Sequence, residues 1–307
     1  MSSESAFIDT LRALATDPAA RGLVDDAAVL ETGGSAIVLT HDMLVEGVHY
    51  LPGDPPADVA WKLVAVNLSD LAAKGARPMG VLLGFTLGDA AWDKAFADGL
   101  GQVLRAFGIS LLGGDTVSAP TRVLGLTAIG QAKRVPPNRS GASPGDQLWV
   151  TGAIGDAGAG LKALLDGVEA PELIERYRNP RPRLEAGERL VPLVKAMMDV
   201  SDGLLIDTRR MADASGCRAT INLDTVPLSE AYMGYAGESR LEAATAGDDY
   251  ELLFAAAPDQ ANAILALSEE LGLPLTRIGA FAAGSGLALT ENGAPIPLPE
   301  RLGFEHG

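Results

Sequence analysis

Acidic residues follow several apolar runs of this sequence, at positions where strand ends can gather their side chains along one edge of a sheet. They occur in six short clusters: Asp25-Asp26, Asp42, Asp70, Gly113-Gly114-Asp115, Asp199-Val200-Ser201-Asp202 and Gly247-Asp248-Asp249. Gathered carboxylates repel one another unless cations lie between them. Such oxygen ligands select Mg²⁺ or Ca²⁺, and protein-bound Mg²⁺ usually accompanies phosphate groups. Any one aspartate could instead cap a turn or a helix, but the whole set favours a cation site beside a phosphorylated ligand.

The segment from Thr40 to Tyr50 carries two histidines, His41 and His49, directly after an apolar run. A metal site, a catalytic histidine–aspartate pair or a polar loop would each explain it. No HExxH or CxxC motif accompanies the histidines, which disfavours zinc. A serine nucleophile is disfavoured because GxSxG is missing, and Cys217 is more typical of a structural thiol.

Three further segments can be interpreted in two ways. In the helix predicted at 58–75, Asn67, Asp70 and Lys74 form a polar stripe, which is either a solvated face or a way to place Asp70 at a metal. The helix predicted at 203–214 has Ser201 or Asp202 as its N-cap and Gly216 just beyond its C-terminus, and its N-terminus could also bind phosphate. The glycines of 151–165 match neither a Walker loop nor GxGxxG, so strand-to-helix packing explains them equally well.

Composition limits the classes of function. The chain has 307 residues, 47% of them hydrophobic, which is enough for two domains with a core. A formal charge of −16 argues against nonspecific binding to nucleic acid or to an anionic membrane. A single cysteine fits a reducing compartment, and neither a signal peptide nor a long apolar span is evident. We therefore expect a cytoplasmic protein with no nucleic-acid or membrane partner.

Helical and strand patterns alternate without a strict βαβ rhythm, which predicts an α+β fold. A short amphipathic helix is predicted at the N-terminus, with Phe7, Ile8, Leu11 and Leu14 on one face. Strands are predicted at 36–40, 81–87, 123–131, 148–152, 217–223, 250–256 and 275–281. Further helices are predicted at 58–75, 92–107, 182–197, 203–214 and 259–271, with another after the glycine-rich turn. The Pro- and Gly-rich segment 134–146 is the predicted linker, which divides the chain into domains 1–137 and 138–307.

Several segments, taken in order, resemble the thiamine-monophosphate kinase family. They are VDDAAVL, LTHDMLVEGVHY, AVNLSDLAAKGARP, LLGGDT, NRSGASPGD, LWVTGAIGDAGAG, DVSDGLLIDTRRMADASG and GDDYELLF, and the match runs from about residue 22 to 304. NLSDLAA and GGDT are shared with a wider superfamily that includes aminoimidazole ribonucleotide synthetase. LVEGVHY, the RSGA segment and GDDYELLF are more particular to the thiamine enzymes.

The resemblance implies an activity and an assembly. The activity is ATP-dependent phosphorylation of thiamine phosphate to thiamine diphosphate, by direct in-line transfer that needs no covalent or general-base residue. Several Mg²⁺ ions would offset the negative charge of the two substrates, with ATP as the co-substrate. The implied fold is the two-domain aminoimidazole ribonucleotide synthetase-like fold, in a homodimer whose N-terminal domains build a shared β-barrel. The active site would lie between the two domains.

The resemblance also assigns residues by position. The implied metal ligands are Asp26, Thr40, His41, Asp42, Asp70, Asp115, Asp199 and Asp202. The implied ATP contacts are Phe107, Gly114, Asp115, Arg139 and Ser201. The implied substrate contacts are His49, Asp248 and Phe304.

This chain departs from the family at two of those positions. His41 stands where the family often has Thr or Ser, so only its backbone carbonyl, and no side-chain hydroxyl, can reach a metal. Asp248 stands where the family often has Glu, which shortens the arm that carries the charge. The alternatives are an aminoimidazole ribonucleotide synthetase-like enzyme and a non-catalytic protein that binds Mg-nucleotide or thiamine phosphate. Selenophosphate synthetase and the hydrogenase-maturation protein are disfavoured because the single cysteine, Cys217, is not at either end of the chain.

Overall fold

Two β-sheets organise the chain, and the computed structural model describes residues 8, 11, 12 and 14–305. The first sheet consists of β1 (Ala28–Glu31), β2 (Ala36–Val45), β3 (Arg77–Leu87), β4 (Ser110–Ser118) and β5 (Val123–Ala132). Their order across the sheet is β1-β2-β5-β3-β4, with β3 and β4 parallel and the other pairs antiparallel. Most of the predicted N-terminal helix lies outside the described residues.

Two long helices cover one face of the first sheet: α1 (Pro56–Ala73) and α2 (Ala90–Phe107). Alternate residues of β2 point toward them, and Val38 and Leu44 are buried there. Helix α2 is capped at its N-terminus by the Asp89 side chain and ends at Gly108, which has a φ of 63°. The core of this half of the molecule therefore lies between the sheet and the helix pair.

The second sheet is larger and also mixed. Its strands are β6 (Gln147–Thr151), β7 (Ala196–Asp199), β8 (Arg218–Asn222), β9 (Leu252–Ala256), β10 (Leu275–Ala282), β11 (Gly286–Glu291) and β12 (Ala294–Ile296). Their order is β12-β11-β8-β10-β6-β9-β7. The accompanying helices are α3 (Asp156–Asp166), α4 (Pro171–Arg178), α5 (Leu184–Leu190), α6 (Leu204–Ala214), α7 (Glu230–Ala236), α8 (Arg240–Thr245) and α9 (Ala261–Leu271). The helices and mixed sheets agree with the predicted α+β content.

Helix α1 joins the two halves of the molecule because it packs against α5 as well as the first sheet. Gly187 of α5 lies so close to α1 that a Cβ atom there would be 2.0 Å from the carbonyl oxygen of Ala72. Only glycine allows this approach of the two backbones. Asp70 and its neighbours on α1 are thereby brought next to the second sheet.

One predicted helix was wrong, and several elements were not predicted: strands β1, β4, β7, β11 and β12 and helices α4, α7 and α8. The helix predicted at 182–197 is only the short α5, and the chain continues into β7, because Pro192 has no backbone N–H with which to continue the helical hydrogen bonds. Strand β4 was not predicted, since its sequence SLLGGDTVS is glycine-rich and every residue in it is exposed. No helix among the described residues combines the length and the apolar character needed to cross a membrane.

The first sheet is open in a single chain. Strands β1 and β4 form its two edges, and the strands that the structure describes do not close into a barrel. The face opposite α1 and α2 exposes large apolar side chains from several strands: Met43, Leu82, Leu112 and Val117. The barrel predicted across a dimer therefore requires a second copy of the chain.

Candidate active site

Three carboxylates from distant parts of the chain meet where α1 approaches the second sheet. Asp26 precedes β1, Asp70 lies on α1 and Asp199 ends β7, and ligand oxygens of all three lie within 4.8 Å of one another. Thr40 of β2 donates its hydroxyl hydrogen bond to Asp70, and Ser69 donates to Asp199 over 2.5 Å. The chain thus brings together carboxylates that are 44 and 129 residues apart in sequence.

Burial and mutual repulsion make this carboxylate cluster bind protons. The pKa of Asp70 is raised well above its ordinary value, mainly by burial and then by the nearby charges of Asp42, Asp199 and Asp26. The same two causes raise the pKa of Asp199 to about 8 and that of Asp42 to about 6. A cation placed among these oxygens would relieve the repulsion that keeps the protons bound.

Two buried cations hold one side of the cluster. Lys74 donates to Asp25 over 2.6 Å and to Asp26 over 2.9 Å, and Arg139 also pairs with Asp26. Burial alone would raise the pKa of Asp26, but the charges of Arg139 and Lys74 outweigh it and hold that pKa below its ordinary value. Asp26 is therefore ionised beside groups that retain protons. Lys74 is fully buried, so the solvated-face interpretation of the α1 stripe is wrong.

A cleft of about 710 Å³ opens from the carboxylate cluster toward the second sheet. It is lined by many of the residues singled out in the sequence: His41, Asp42, His49, Asp70, Asp199, Ser201, Asp202, Asp248 and Phe304. Asp26, Thr40 and Arg139 adjoin it through the contacts just described. Predicted metal and substrate residues from both halves of the chain, with the exception of Asp115, therefore lie in or beside one cavity.

The chain's C-terminal segment returns to this cleft. The backbone N–H of Phe304 donates to the carbonyl oxygen of Asp202 over 2.9 Å. Gly303 packs so closely on α6 that a Cβ atom there would be 2.4 Å from Ile206 and 2.5 Å from the Asp202 carbonyl oxygen. The Phe304 ring is 44% exposed, so it can cover a ring bound in the cleft.

The two histidines of the Thr40–Tyr50 segment do different things. Neighbouring residues of a strand point to opposite faces, so the His41 ring turns away from the side chain of Asp42, and its Nδ1 lies 2.8 Å from the hydroxyl of Thr127. Nδ1 of His49 accepts a hydrogen bond from the Val45 N–H over 3.0 Å, which places the proton of a neutral ring on Nε2. A His41–Asp42 catalytic pair is not formed.

The helix termini that could have bound phosphate are occupied by carboxylates. Neither Ser201 nor Asp202 caps α6. Instead the Asp207 side chain accepts hydrogen bonds from the N–H groups of residues 201–203 over 3.1 to 3.3 Å. The Gly155 N–H at the start of α3 likewise donates to Asp249 over 2.9 Å. The predicted glycine just beyond the C-terminus of α6, Gly216, has the expected positive φ of 64°.

Three predicted ATP or metal residues lie away from the cluster in a single chain. Phe107 packs against the ring of Trp61, with centroids 5.5 Å apart. Gly114 and Asp115 lie on the exposed edge strand β4. Across the sheet, Asp115 is aligned with Met43 of β2, and strands β3 and β5 lie between them. Three strand spacings of about 4.8 Å each, or roughly 14 Å in all, therefore separate Asp115 from Met43.

Sequence reasoning missed Lys62, Tyr177 and Tyr250. Lys62 lies in an apolar stretch of α1 and forms an ion pair with Asp248 over 2.8 Å. Tyr250 lines the cleft and donates its hydroxyl hydrogen to Asp248 over 3.1 Å. A lysine within an otherwise buried helix was the one available signal, since such a residue needs a partner when it is desolvated.

Comparison with family models supports the two-part architecture. The N-terminal domain of AIR synthase related proteins matches residues 24–132, and the C-terminal domain of the same proteins matches residues 143–292. The two-sheet architecture is thus that of an AIR synthase related protein. Within that class, the chain belongs to the thiamine-monophosphate kinase family.

Individual relatives agree on this family. The chain is 41% identical over 306 residues to the thiamine-monophosphate kinase of Caulobacter vibrioides, covering 95% of this chain and 86% of that one. The crystal structure of the thiamine-monophosphate kinase from Stenotrophomonas maltophilia is 39% identical with a TM-score of 0.79, covering 94% of this chain and 95% of that one. The structure of AaThiL complexed with AMPPCP and TMP is 28% identical with a TM-score of 0.86, covering 98% and 96%.

Proposed function

We propose that this chain phosphorylates thiamine phosphate to thiamine diphosphate with ATP as the phosphoryl donor. The observation that carries the proposal is the single cleft in which the carboxylate cluster meets His49, Asp248 and Phe304. Kinase relatives over nearly the whole chain support it, and so does the similarity to AaThiL complexed with AMPPCP and TMP. The division into domains 1–137 and 138–307 and the cytoplasmic location stay predictions.

The donor set suits Mg²⁺. Asp26, Asp70 and Asp199 offer clustered carboxylate oxygens, and the raised pKa values of Asp70 and Asp199 reflect burial and carboxylate repulsion that a cation would offset. The residues proposed to hold the ions are Asp26, Thr40, Asp42, Asp70, Asp115, Asp199, Asp202 and the backbone carbonyl of His41. When bound, Mg²⁺ would neutralise charge on the phosphates of both substrates.

The remaining residues are proposed to place the two substrates. Arg139 would offer a fork of donors to a nucleotide phosphate, and its present pairing with Asp26 keeps the guanidinium beside the cluster. Ser201, Gly114 and Phe107 are proposed as further nucleotide contacts. On the other side of the cleft, Asp248 would face the cationic thiazolium ring, Phe304 would stack on it, and His49 would contact the substrate.

The chemistry proposed is a direct in-line transfer. An oxygen of the thiamine phosphate group forms a bond to the γ-phosphorus, the bond from that phosphorus to the β–γ bridging oxygen breaks, and ADP leaves with the electron pair. The acceptor phosphate is largely ionised at neutral pH, so no general base is required. The chain's own contribution is to orient both anions and to exclude water from the cleft.

A homodimer would complete this site. The exposed apolar face of the first sheet and its open edge β4 are features that a second copy would cover. Gly114 and Asp115 lie on that edge, and strand spacing puts Asp115 about 14 Å from Met43 of the same chain. We therefore propose that the shared β-barrel of the dimer brings these residues of one copy to the cleft of its partner.

The test is a substrate panel. The protein is incubated with ATP and Mg²⁺ and either thiamine phosphate or the substrate of aminoimidazole ribonucleotide synthetase, and ADP release is followed. The proposal predicts ADP release and thiamine diphosphate formation with thiamine phosphate alone. Release only with the other substrate would favour the synthetase alternative. Binding of a nonhydrolysable ATP analogue with no product from either substrate would favour a non-catalytic binding protein.

A further inference from the structure

Lys62 is a buried cation whose contacts span the boundary between the two halves of the molecule. Its side chain, on α1, is only 2% exposed. Its ammonium group donates to the carboxylate of Asp248 over 2.8 Å and to the backbone carbonyl of His49 over 3.0 Å. It also lies 4.0 Å from the centre of the Tyr177 ring on α4. One charged atom thus contacts three separate segments.

These contacts join the two segments proposed to bind thiamine phosphate. His49 belongs to the segment after β2, in the first half of the chain, and Asp248 belongs to the segment before β9, in the second half. Both residues line the cleft. Lys62 is proposed to touch neither substrate, since its ammonium is covered by Tyr177 and by the two groups to which it donates.

The Asp248 carboxylate is held on both oxygens. Lys62 binds Oδ2, and the Tyr250 hydroxyl donates to Oδ1 over 3.1 Å. The backbone there is strained, because Asp248 and Tyr250 have φ values of 70° and 51°, and the N–H of Asp248 donates to the carbonyl oxygen of Ser201 over 2.7 Å. Such a conformation persists where surrounding contacts over-determine it, and Lys62 supplies one of them.

The contacts continue beyond Lys62 into a rigid support. The Tyr177 hydroxyl donates to Asp54 over 3.3 Å, and Arg178 pairs with the same carboxylate over 2.8 Å. Trp61, the residue before Lys62, donates its indole N–H to the carbonyl oxygen of Pro180 over 2.9 Å. Helix α4 and the start of α1 are therefore fixed to each other beside the ammonium group.

Stability alone does not explain a buried lysine here. Removing two charges from water is costly, and an apolar residue of similar volume is often as stabilising as a buried ion pair. A desolvated pair does fix the relative position of its partners. We propose that Lys62 is a positioning residue that holds the His49 segment and the Asp248 carboxylate at the spacing required by thiamine phosphate, an inference that rests on the proposed function.

The test compares Lys62→Met with wild type in two binding titrations, one with thiamine phosphate and one with the nonhydrolysable ATP analogue, both in Mg²⁺. We expect the Kd for thiamine phosphate to rise about tenfold or more, since a loosened site must be ordered on binding. The Kd for the ATP analogue should stay within about twofold. Lys94→Met is the matched control, because Lys94 is 75% exposed on α2 and pairs only with Asp98 among its described ion pairs.

The double variant Lys62→Met/Asp248→Asn separates positioning from any other role. If Lys62 acts through Asp248, the double variant binds thiamine phosphate no more weakly than Asp248→Asn alone. This comparison can still be made if Lys62→Met fails to fold, because the double variant removes both charges together and leaves neither one unpaired. An unchanged Kd for thiamine phosphate, an equal loss for both ligands, or additive losses in the double variant would overturn the assignment.

The same titrations distinguish the two proposals. A wild-type protein that binds thiamine phosphate but forms no thiamine diphosphate would refute the kinase activity, and the Kd ratio would still test Lys62. A wild type that forms the product with a Kd insensitive to Lys62→Met would refute the positioning role alone. Absence of thiamine phosphate binding by the wild type would refute both.

Discussion

The carboxylates at the cleft act as a group whose members share charge. Asp26 is held ionised by Lys74 and Arg139, whereas burial and repulsion raise the pKa values of Asp42, Asp70 and Asp199. Replacing one member therefore changes the charge that the others experience. Two predictions concern these carboxylates.

The first concerns Asp42, which lines the cleft and which we propose as a metal ligand. Asp42→Asn should lower kcat by at least about 100-fold, because it removes charge that would hold a cation at the transferred phosphate. The fold should survive, since the change removes a repulsive buried charge. Steady-state assays of the variant are compared with Asp98→Asn, whose carboxylate is exposed on α2. A near-normal rate in Asp42→Asn would rule out the metal assignment.

The second concerns pH in the absence of Mg²⁺. The pKa values of Asp42 and Asp199 are about 6 and 8 in the folded chain, above the ordinary value of 3.8. The protonated carboxyl groups therefore contribute fully to the stability of the folded chain below about pH 4, and this contribution is lost as the pH rises through 6 and 8. The melting temperature of the metal-free protein should fall by about 5 °C or more between pH 5.5 and 8.5.

Added Mg²⁺ should raise the melting temperature more at pH 8.5 than at pH 5.5, because bound protons compete with the metal at the lower pH. Thermal melts at the two pH values, with and without Mg²⁺, make the comparison. Asp199→Asn should show a smaller fall with pH than the wild type. Equal melting temperatures at the two pH values in metal-free wild type would contradict the raised pKa values.

The residues of the cleft were partly predictable. Asp42, Asp70 and Asp199 follow or interrupt apolar runs, so their residue types and positions in the sequence predicted a shared cation site. The partner of Lys62 was not predictable, because Asp248 is 186 residues away and no local pattern indicates such a pair. Roles assigned through the family resemblance, such as that of Arg139, stay predictions.

At the scale of elements, α1 determines how the site is assembled. It carries Asp70 and Lys74 to the carboxylate cluster and Lys62 to the Asp248 segment, while packing on both the first sheet and α5. The approach of α5 is limited by backbone contact at Gly187. Helix α1 is therefore the element whose displacement would change both ends of the cleft.

Gly187→Ala should disturb that contact. A Cβ atom there would be 2.0 Å from the Ala72 carbonyl oxygen, so α5 must move away from α1. We expect a loss of about 1–3 kcal/mol in the free energy of unfolding, measured by urea denaturation. Gly234→Ala is the matched control, since its Cβ would meet nothing within 4 Å in helix α7, and it should be neutral or stabilising. Equal stability of the two variants would contradict the close packing.

Elements were predictable where a pattern was local. Helices α1, α2 and α6 and strand β9 were predicted near their observed positions because periodicity and caps lie within each segment. The helix predicted at 182–197 was wrong because Pro192 has no backbone N–H and so ends the helix despite the apolar spacing. Strand β4 was missed because its neighbours, not its own glycine-rich sequence, make it extended.

In the whole molecule, the first sheet leaves an apolar face and an edge strand exposed in a single chain. Apolar side chains of β3 and β4 are exposed there, and β4 leaves an unpaired edge. Isolated edges and apolar faces of this kind favour association. The proposed dimer would cover them and bring Asp115 to a partner's cleft.

Leu112→Glu should therefore prevent dimer formation. Leu112 is 56% exposed on β4, and a charge there would be buried in the proposed interface. Sedimentation should give twice the chain mass of 31.7 kDa for the wild type and a single chain mass for the variant, with much reduced kinase activity. Leu165→Glu is the control, because Leu165 is 67% exposed on α3, and this variant should stay dimeric and active. A dimeric Leu112→Glu protein would place the interface elsewhere.

The reaction proposed for this cleft is the transfer of a phosphoryl group from ATP to thiamine phosphate. Its most direct test is an assay with ATP labelled at the γ-phosphate, thiamine phosphate and Mg²⁺, followed by separation of the thiamine esters. The label should appear in thiamine diphosphate at the rate of ADP formation, and chelation of Mg²⁺ should abolish it. ATP hydrolysis that releases the label only as inorganic phosphate, with no labelled thiamine diphosphate, would contradict the account.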